Sequence, residues 1–137
     1  MQVIQNKRKT PPSIDFPYTA AAKVWSLTDI EINQIVVTTS IHGHYPAVVL
    51  ADATDAQLSR GRLLIAKHAC GPEQYCVALP WRKITGVNTS KRKVGDAIYL
   101  GPKGSIVFSP PVNAAFVRQI GTVLSSDVEG TIILDVT

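Results

Sequence analysis

The sequence predicts an all-β fold, a compact antiparallel sandwich or barrel with an extended N-terminal arm. Three observations carry that prediction. The chain contains 15 Val, 13 Ile and 11 Thr against 9 Leu, and side chains branched at Cβ fit a pleated surface better than a helix. Gly and Pro contribute 9 each and recur at short intervals, as many short strands broken by turns require. At 137 residues, with 45% hydrophobic and 18% charged residues, the chain is long enough for one domain with a real core and too short for two full-sized ones.

Residues 1–20 form the predicted arm and 21–137 the predicted single β domain. Pro11, Pro12 and Pro17 disfavour a helix in the arm and favour an extended chain. Within it Ile14, Phe16 and Tyr18 alternate with Ser13, Asp15 and Pro17. One side of the arm is therefore apolar, which suits a segment that orders against a neighbour. From Ala20 to Ile35 the pattern is mixed: Ala20-Ala21-Ala22 can begin a helical turn, whereas Val24, Ile30, Ile32 and Ile35 suit short strands.

Regular strand signals follow. QIVVTTS at 34–40 is a predicted strand, His42-Gly43-His44 its turn, and YPAVVLA at 45–51 the next strand, with Pro46 at an edge or strand start. DATDAQLSR at 52–60 has the spacing of a short helix or a compact loop. GRLLIAK at 61–67 is a strand followed by the turn Cys70-Gly71-Pro72, and 74–79 and 82–87 are consecutive strands around Pro80-Trp81. Residues 97–100 and 105–109 flank Gly101-Pro102-Lys103-Gly104, a predicted hairpin turn, and 116–124 and 131–136 flank a turn at 125–130. Gly121, inside an apolar run, predicts a bulge or the close approach of another backbone. Tyr99 and Leu100, adjacent on a strand, are expected on opposite faces, one in the core and one toward a partner.

Charge and composition exclude several classes. No stretch approaches the roughly 20 apolar residues that cross a bilayer, so no membrane role is expected. MQVIQNKRKTPP has no apolar run after its basic residues, so no secretory signal is expected either. The net charge of +4 hints at nucleic acid, but its distribution argues against that partner. Lys7, Arg8 and Lys9 lie in the arm, Lys91, Arg92 and Lys93 in an expected loop, and no aromatic residue is interleaved with either cluster.

Candidate chemistry is sparse. Cys70 and Cys76 can bridge across a turn in an oxidising compartment; without a leader, two reduced and mostly buried thiols are expected. His42, His44 and His68 with these cysteines do not match zinc-ligand spacing, so no metal is expected. Ser40, His42 and Asp52 lack a nucleophile elbow. Residues 101–105, GPKGS, lack phosphate-loop spacing and join two strands rather than opening a helix. The carboxylate pairs Asp52/Asp55 and Asp127/Glu129 lie in turn-like segments. No catalytic residue and no cofactor is expected, and the chain is read as a non-enzyme.

An ordered set of short motifs remains. Residues 46–53 read PAVVLADA, 61–66 GRLLIA, 85–89 TGVNT, 94–100 VGDAIYL, 110–111 PP, 120–125 IGTVLS and 130–134 GTIIL. Over about residues 34–136 this order resembles tailed-bacteriophage virion structural proteins, namely capsid decoration (cement) proteins and related head or tail fibre modules. Fibre proteins carry such a module within a much longer chain, so a module with an arm favours the decoration role. The resemblance implies a protein made in the host cytoplasm that binds the capsid exterior as a homotrimer and clamps major capsid protein subunits. Ile14, Phe16 and Tyr18, the basic residues Lys7, Arg8 and Lys9, and secondarily Lys91, Arg92 and Lys93, are the partner-binding residues expected on this reading. A head-fibre or tail-attachment module, and from another class a small basic β-barrel that binds nucleic acid, are the alternatives.

Overall fold

The computed structural model describes residues 21–136. Ten strands follow one another: β1 Ala22–Ser26, β2 Ile35–His42, β3 Tyr45–Leu50, β4 Leu63–Ala66, β5 Gln74–Leu79, β6 Trp81–Val87, β7 Ala97–Leu100, β8 Ile106–Val107, β9 Gln119–Val123 and β10 Gly130–Asp135. The first five close into a barrel in the order β1-β3-β2-β4-β5, and the last five form an open sheet in the order β6-β10-β9-β7-β8. The all-β expectation holds, with a barrel and a sheet packed together. All pairings are antiparallel except β1 with β3, a parallel contact of two residue pairs, Trp25 with Ala47 and Ser26 with Val48.

Two apolar clusters explain why these segments become strands. Val24, Ile30, Val36, Val48, Leu64, Ala66, Cys76 and Ala78 fill the barrel. Ile35, Val37, Leu63 and Ile65 face the other way, against Ile98, Leu100, Ile120, Val123, Ile132 and Leu134 of the sheet. Successive strand residues point to opposite faces, so β2 and β4 are walls common to both cores. All four residues of β4 are buried, which is why its sequence, LLIA, is a continuous apolar run rather than an alternating one. Leu100 is buried and Tyr99 half-buried, as their adjacency on one strand requires.

Two glycines are set by space. Ile98 pairs with Gly121 and Tyr99 with Gln119, leaving Ile120 as an extra residue in β9. A Cβ on Gly121 would collide with the Ile133 carbonyl oxygen and come within 2.9 Å of Leu134 Cδ2, so both the bulge and the close approach occur at this position. A Cβ on Gly130 would collide with the Thr89 hydroxyl.

Several local expectations need correction. Ala22 begins a strand rather than a helical turn. His42 closes β2, and the turn is Gly43-His44. Of the two alternatives left open for segment 52–60, the structure takes the compact loop. It is held by Asp55 Oδ1, which accepts from the amides of Gln57 and Leu58 at 2.8 and 3.0 Å. Trp81 belongs to β6, so the bend at Pro80 takes the chain directly from barrel to sheet. The strands predicted at 105–109 and 116–124 shorten to β8 and β9.

Cys70 and Cys76 are joined by a disulfide with a Cα–Cα distance of 6.3 Å, against the expectation of two reduced thiols. The cause is tertiary. Cys70 is pinned to Ile30 by reciprocal backbone hydrogen bonds of 2.9 Å, and Cys76 points into the barrel from β5. The intervening turn therefore brings the two sulfurs together.

Candidate functional site

Barrel and sheet are fastened around a small set of polar contacts. The Arg82 guanidinium donates to the carbonyls of Ala66 and Lys67 at 3.2 and 3.0 Å. Arg118 reaches from the sheet to the Gly61 carbonyl at 2.9 Å. Between them, the β7–β8 turn docks on the segment after β3: the Ala53 amide donates to Gly101 and the Gly104 amide to Ala51. Asp52 sits at that junction. Burial alone would raise its carboxyl. The Thr54 hydroxyl and amide and the Lys103 amide, with the Lys103 charge, outweigh burial and hold it below the ordinary aspartate value.

The outer face of the barrel carries aromatic rings from four strands. Trp25 of β1 stacks on His42 of β2 at 3.9 Å with planes 8° apart. Tyr75 of β5 packs edge-on against Trp25 at 4.8 Å and against Tyr45 of β3 at 5.4 Å. Lys23 Nζ lies 4.5 Å from the Tyr75 ring centroid and 5.0 Å from that of Tyr45. These rings reinforce the barrel where β1 meets β3 over only two residue pairs, beside the turn end of the β2–β3 hairpin. Sequence reasoning missed the group. Its signal was the alternation of Lys23 and Trp25 with buried Val24 and Ser26, but register alone brings Tyr45 and Tyr75 beside them.

The open sheet presents a different surface. Lys91, Arg92 and Lys93 lie in the loop from β6 to β7, as expected, and that loop is firmly built. Thr89 is buried at its base. Its hydroxyl donates to the Ser125 carbonyl at 2.5 Å, and its amide donates to the Asp127 carbonyl at 2.8 Å. Asn88 Oδ1 accepts from the Ser90 amide and hydroxyl, and Asp96 Oδ2 from the Lys93 amide at 2.9 Å. The Arg92 guanidinium lies 4.8 Å above the Phe108 ring. Asn88, Ser90, Lys91, Arg92 and Phe108 line a cavity of about 220 Å³. Although no aromatic residue neighbours the triplet in sequence, the fold supplies one. A second pair places Arg60 of the β3–β4 loop 5.2 Å from the Phe116 ring on the loop before β9, where Val112 is 96% exposed.

Ile14, Phe16, Tyr18, Lys7, Arg8 and Lys9 lie outside the described residues. Ser40, His42 and Asp52 make no hydrogen bond with one another: His42 is stacked on Trp25 and Asp52 binds Thr54. Among the described residues no three His, Cys, Asp or Glu side chains converge as a metal site would require, and no helix is long and apolar enough to cross a membrane. The developed surfaces are therefore a rigid basic loop with an aromatic base, a ring cluster, and exposed strand and loop residues. Such features suit contact with another macromolecule.

No protein-family model matches the sequence, and no curated protein is significantly similar to it. A solved structure does share the fold: the head fiber gp8.5 N base of bacteriophage phi29, with a TM-score of 0.54 and 12% sequence identity. The match covers 87% of this chain and 94% of that one. At that identity the likeness is one of fold.

Proposed function

We propose that the chain is a structural component of a tailed-phage virion. On this reading it sits on the outside of the head as a decoration (cement) protein that binds major capsid protein subunits. The observation that carries the proposal is the fold shared with a phage head-fibre base over most of both chains. It agrees with the ordered virion-protein motifs at 34–136.

The action is passive and non-enzymatic. A protein that binds the assembled shell and not its separated subunits stabilises the shell by mass action, and a homotrimer multiplies weak contacts at fixed spacing. Lys7, Arg8, Lys9 and the loop Lys91-Arg92-Lys93 meet acidic patches of the shell, while the apolar side of the arm, Ile14, Phe16 and Tyr18, orders on a neighbouring subunit. The rigid seating of Lys91–Lys93 by Thr89, Asn88 and Asp96 supports a contact role, because less side-chain and loop freedom is lost on binding.

That the structural relative is a head fiber base favours one second reading: a base module that attaches a fibre or tail part to the head. Copy number in purified virions separates the two. Near one copy per major capsid protein subunit is expected for decoration; a handful per particle moves the chain to a vertex or fibre, and absence from particles removes the virion reading. Binding that falls steeply between low and moderate salt in the presence of single-stranded DNA would instead favour the nucleic-acid class.

A further inference from the structure

The barrel is closed, so its strands leave no edge, but the second sheet has two, and they differ. β8 is a two-residue strand. β6 runs for seven residues, pairs with β10 along one side and with no described strand along the other. The core also runs out there: Ile84 and Val87 pack on the core cluster yet are only half-buried, while Lys83 and Thr85, on the opposite face, are exposed. A long open edge whose apolar side is incompletely covered is a template for another strand.

We propose that this edge takes residues 13–18 of a second copy of the chain, Ser-Ile-Asp-Phe-Pro-Tyr, as an added strand. Three features of that segment fit. Setting Ile14, Phe16 and Tyr18 on the same face as Arg82 and Ile84 extends the apolar layer, and the pleat then puts Asp15 on the face of Lys83 and Thr85. A carboxylate thus meets the exposed lysine, whose charge otherwise guards the edge. Backbone N–H groups also alternate between the two sides of a strand. If Ile14, Phe16 and Tyr18 donate to β6, the missing donor of Pro17 faces outward, where it blocks addition of a further strand. Pro12 belongs to the donating set and ends the pairing.

A neighbour rather than the same molecule is favoured by the junction. Residues 19–21 lead into β1, whose first residue pairs with Ala78 of β5. A ladder continuing along the same molecule would have to pass Pro80, which has no N–H and whose carbonyl already accepts from the Val136 amide at 3.0 Å. The continuation is interrupted there. Three copies, each giving one arm and receiving one, close a ring with every β6 edge covered. The exchange rests on the trimer proposed above and not on the place of the protein in a virion.

The test uses purified protein without phage particles, so its failure bears on the exchange alone. Sedimentation and amide hydrogen exchange are measured for the full chain and for a chain lacking residues 1–18. The full chain is expected to be an oligomer with protected β6 amides. The shortened chain is expected to be a monomer whose β6 edge amides exchange at least tenfold faster, with β2 and β4 unchanged. Asp15→Lys should weaken the oligomer several-fold, and combining it with Lys83→Asp should restore it, a readout that needs no truncation. An oligomer that survives truncation, β6 amides already unprotected in the full chain, a full-chain monomer with protected β6 amides (the arm docked on its own molecule), or a charge swap that restores nothing would each overturn the proposal.

Discussion

The closed barrel and the open sheet meet the same difficulty, the unpaired edge of a β-sheet, in different ways. The barrel joins its first and last strands, β1 and β5, over five residue pairs, so every strand has two neighbours. What it offers to solvent is side chains: the rings of Trp25, His42, Tyr45 and Tyr75, already satisfied by one another and by Lys23. Among the described strands the sheet ends at β6 and β8, and there it offers backbone. Closure makes a region self-sufficient, whereas an edge makes it a platform for assembly. In this chain the two are welded through β2 and β4, so the barrel acts as the rigid base from which the sheet presents its edge and loops.

Breaking the weld should have the largest effect. Ile65 is fully buried on the shared wall, and Ile65→Ala is expected to cost about 2–5 kcal/mol. Its mark should be a single cooperative loss of both regions in denaturant titration. Separate transitions for barrel and sheet would show that the weld is weaker than the packing implies.

Opening the disulfide should affect the barrel first. Bridges that close short loops are worth less than those closing long ones, and Cys70–Cys76, separated by six positions, is expected to contribute about 2 kcal/mol. Reduction, or Cys76→Ser, should speed exchange of the Ile30, Cys70 and β5 amides well before those of β9 and β10. Uniform acceleration would remove the distinction between the two regions.

The reciprocal perturbation is Thr89→Val, which is nearly isosteric but leaves the Ser125 carbonyl and the Asp127 amide without the hydroxyl. A loss of about 1–2 kcal/mol is expected, with loosening of the loops at 88–96 and 124–130 and the barrel amides unchanged.

The smallest effect lies at the junction. Because the folded Asp52 carboxyl titrates below its ordinary value of 3.8, the stabilisation it brings is complete above that value and disappears as pH falls through the lower folded one. Acid titration of stability below about pH 4 should therefore be shallower for Asp52→Asn than for the natural chain, and neutral-pH titration should show no difference in slope.

Much of the fold was legible in order along the chain. Nine of the ten strands lie where β-branched runs between turn signals place them, because a strand's periodicity and its turns are local properties. Gly121 announced its crowded position for the same reason. The loop at 52–60 was ambiguous because turns and one helical turn share their spacing, and hydrogen bonds to Asp55 decided between them. The basic loop was found as a charge run, but its aromatic base, Phe108, comes from a segment 16 positions beyond Arg92 and has no local signature. The ring cluster was missed because it needs four registers at once.

The sequence by itself determined the class of structure, the approximate limits of most strands, and the basic triplet. Each of these depends on residues within a few positions of one another. Only the tertiary structure decided that five strands close and five remain open. It alone made β2 and β4 serve two cores, joined Cys70 to Cys76, and left one side of β6 without a described strand beside it. Those outcomes depend on strand order and register, which are fixed by the simultaneous burial of both faces of a few central strands and not by any single segment.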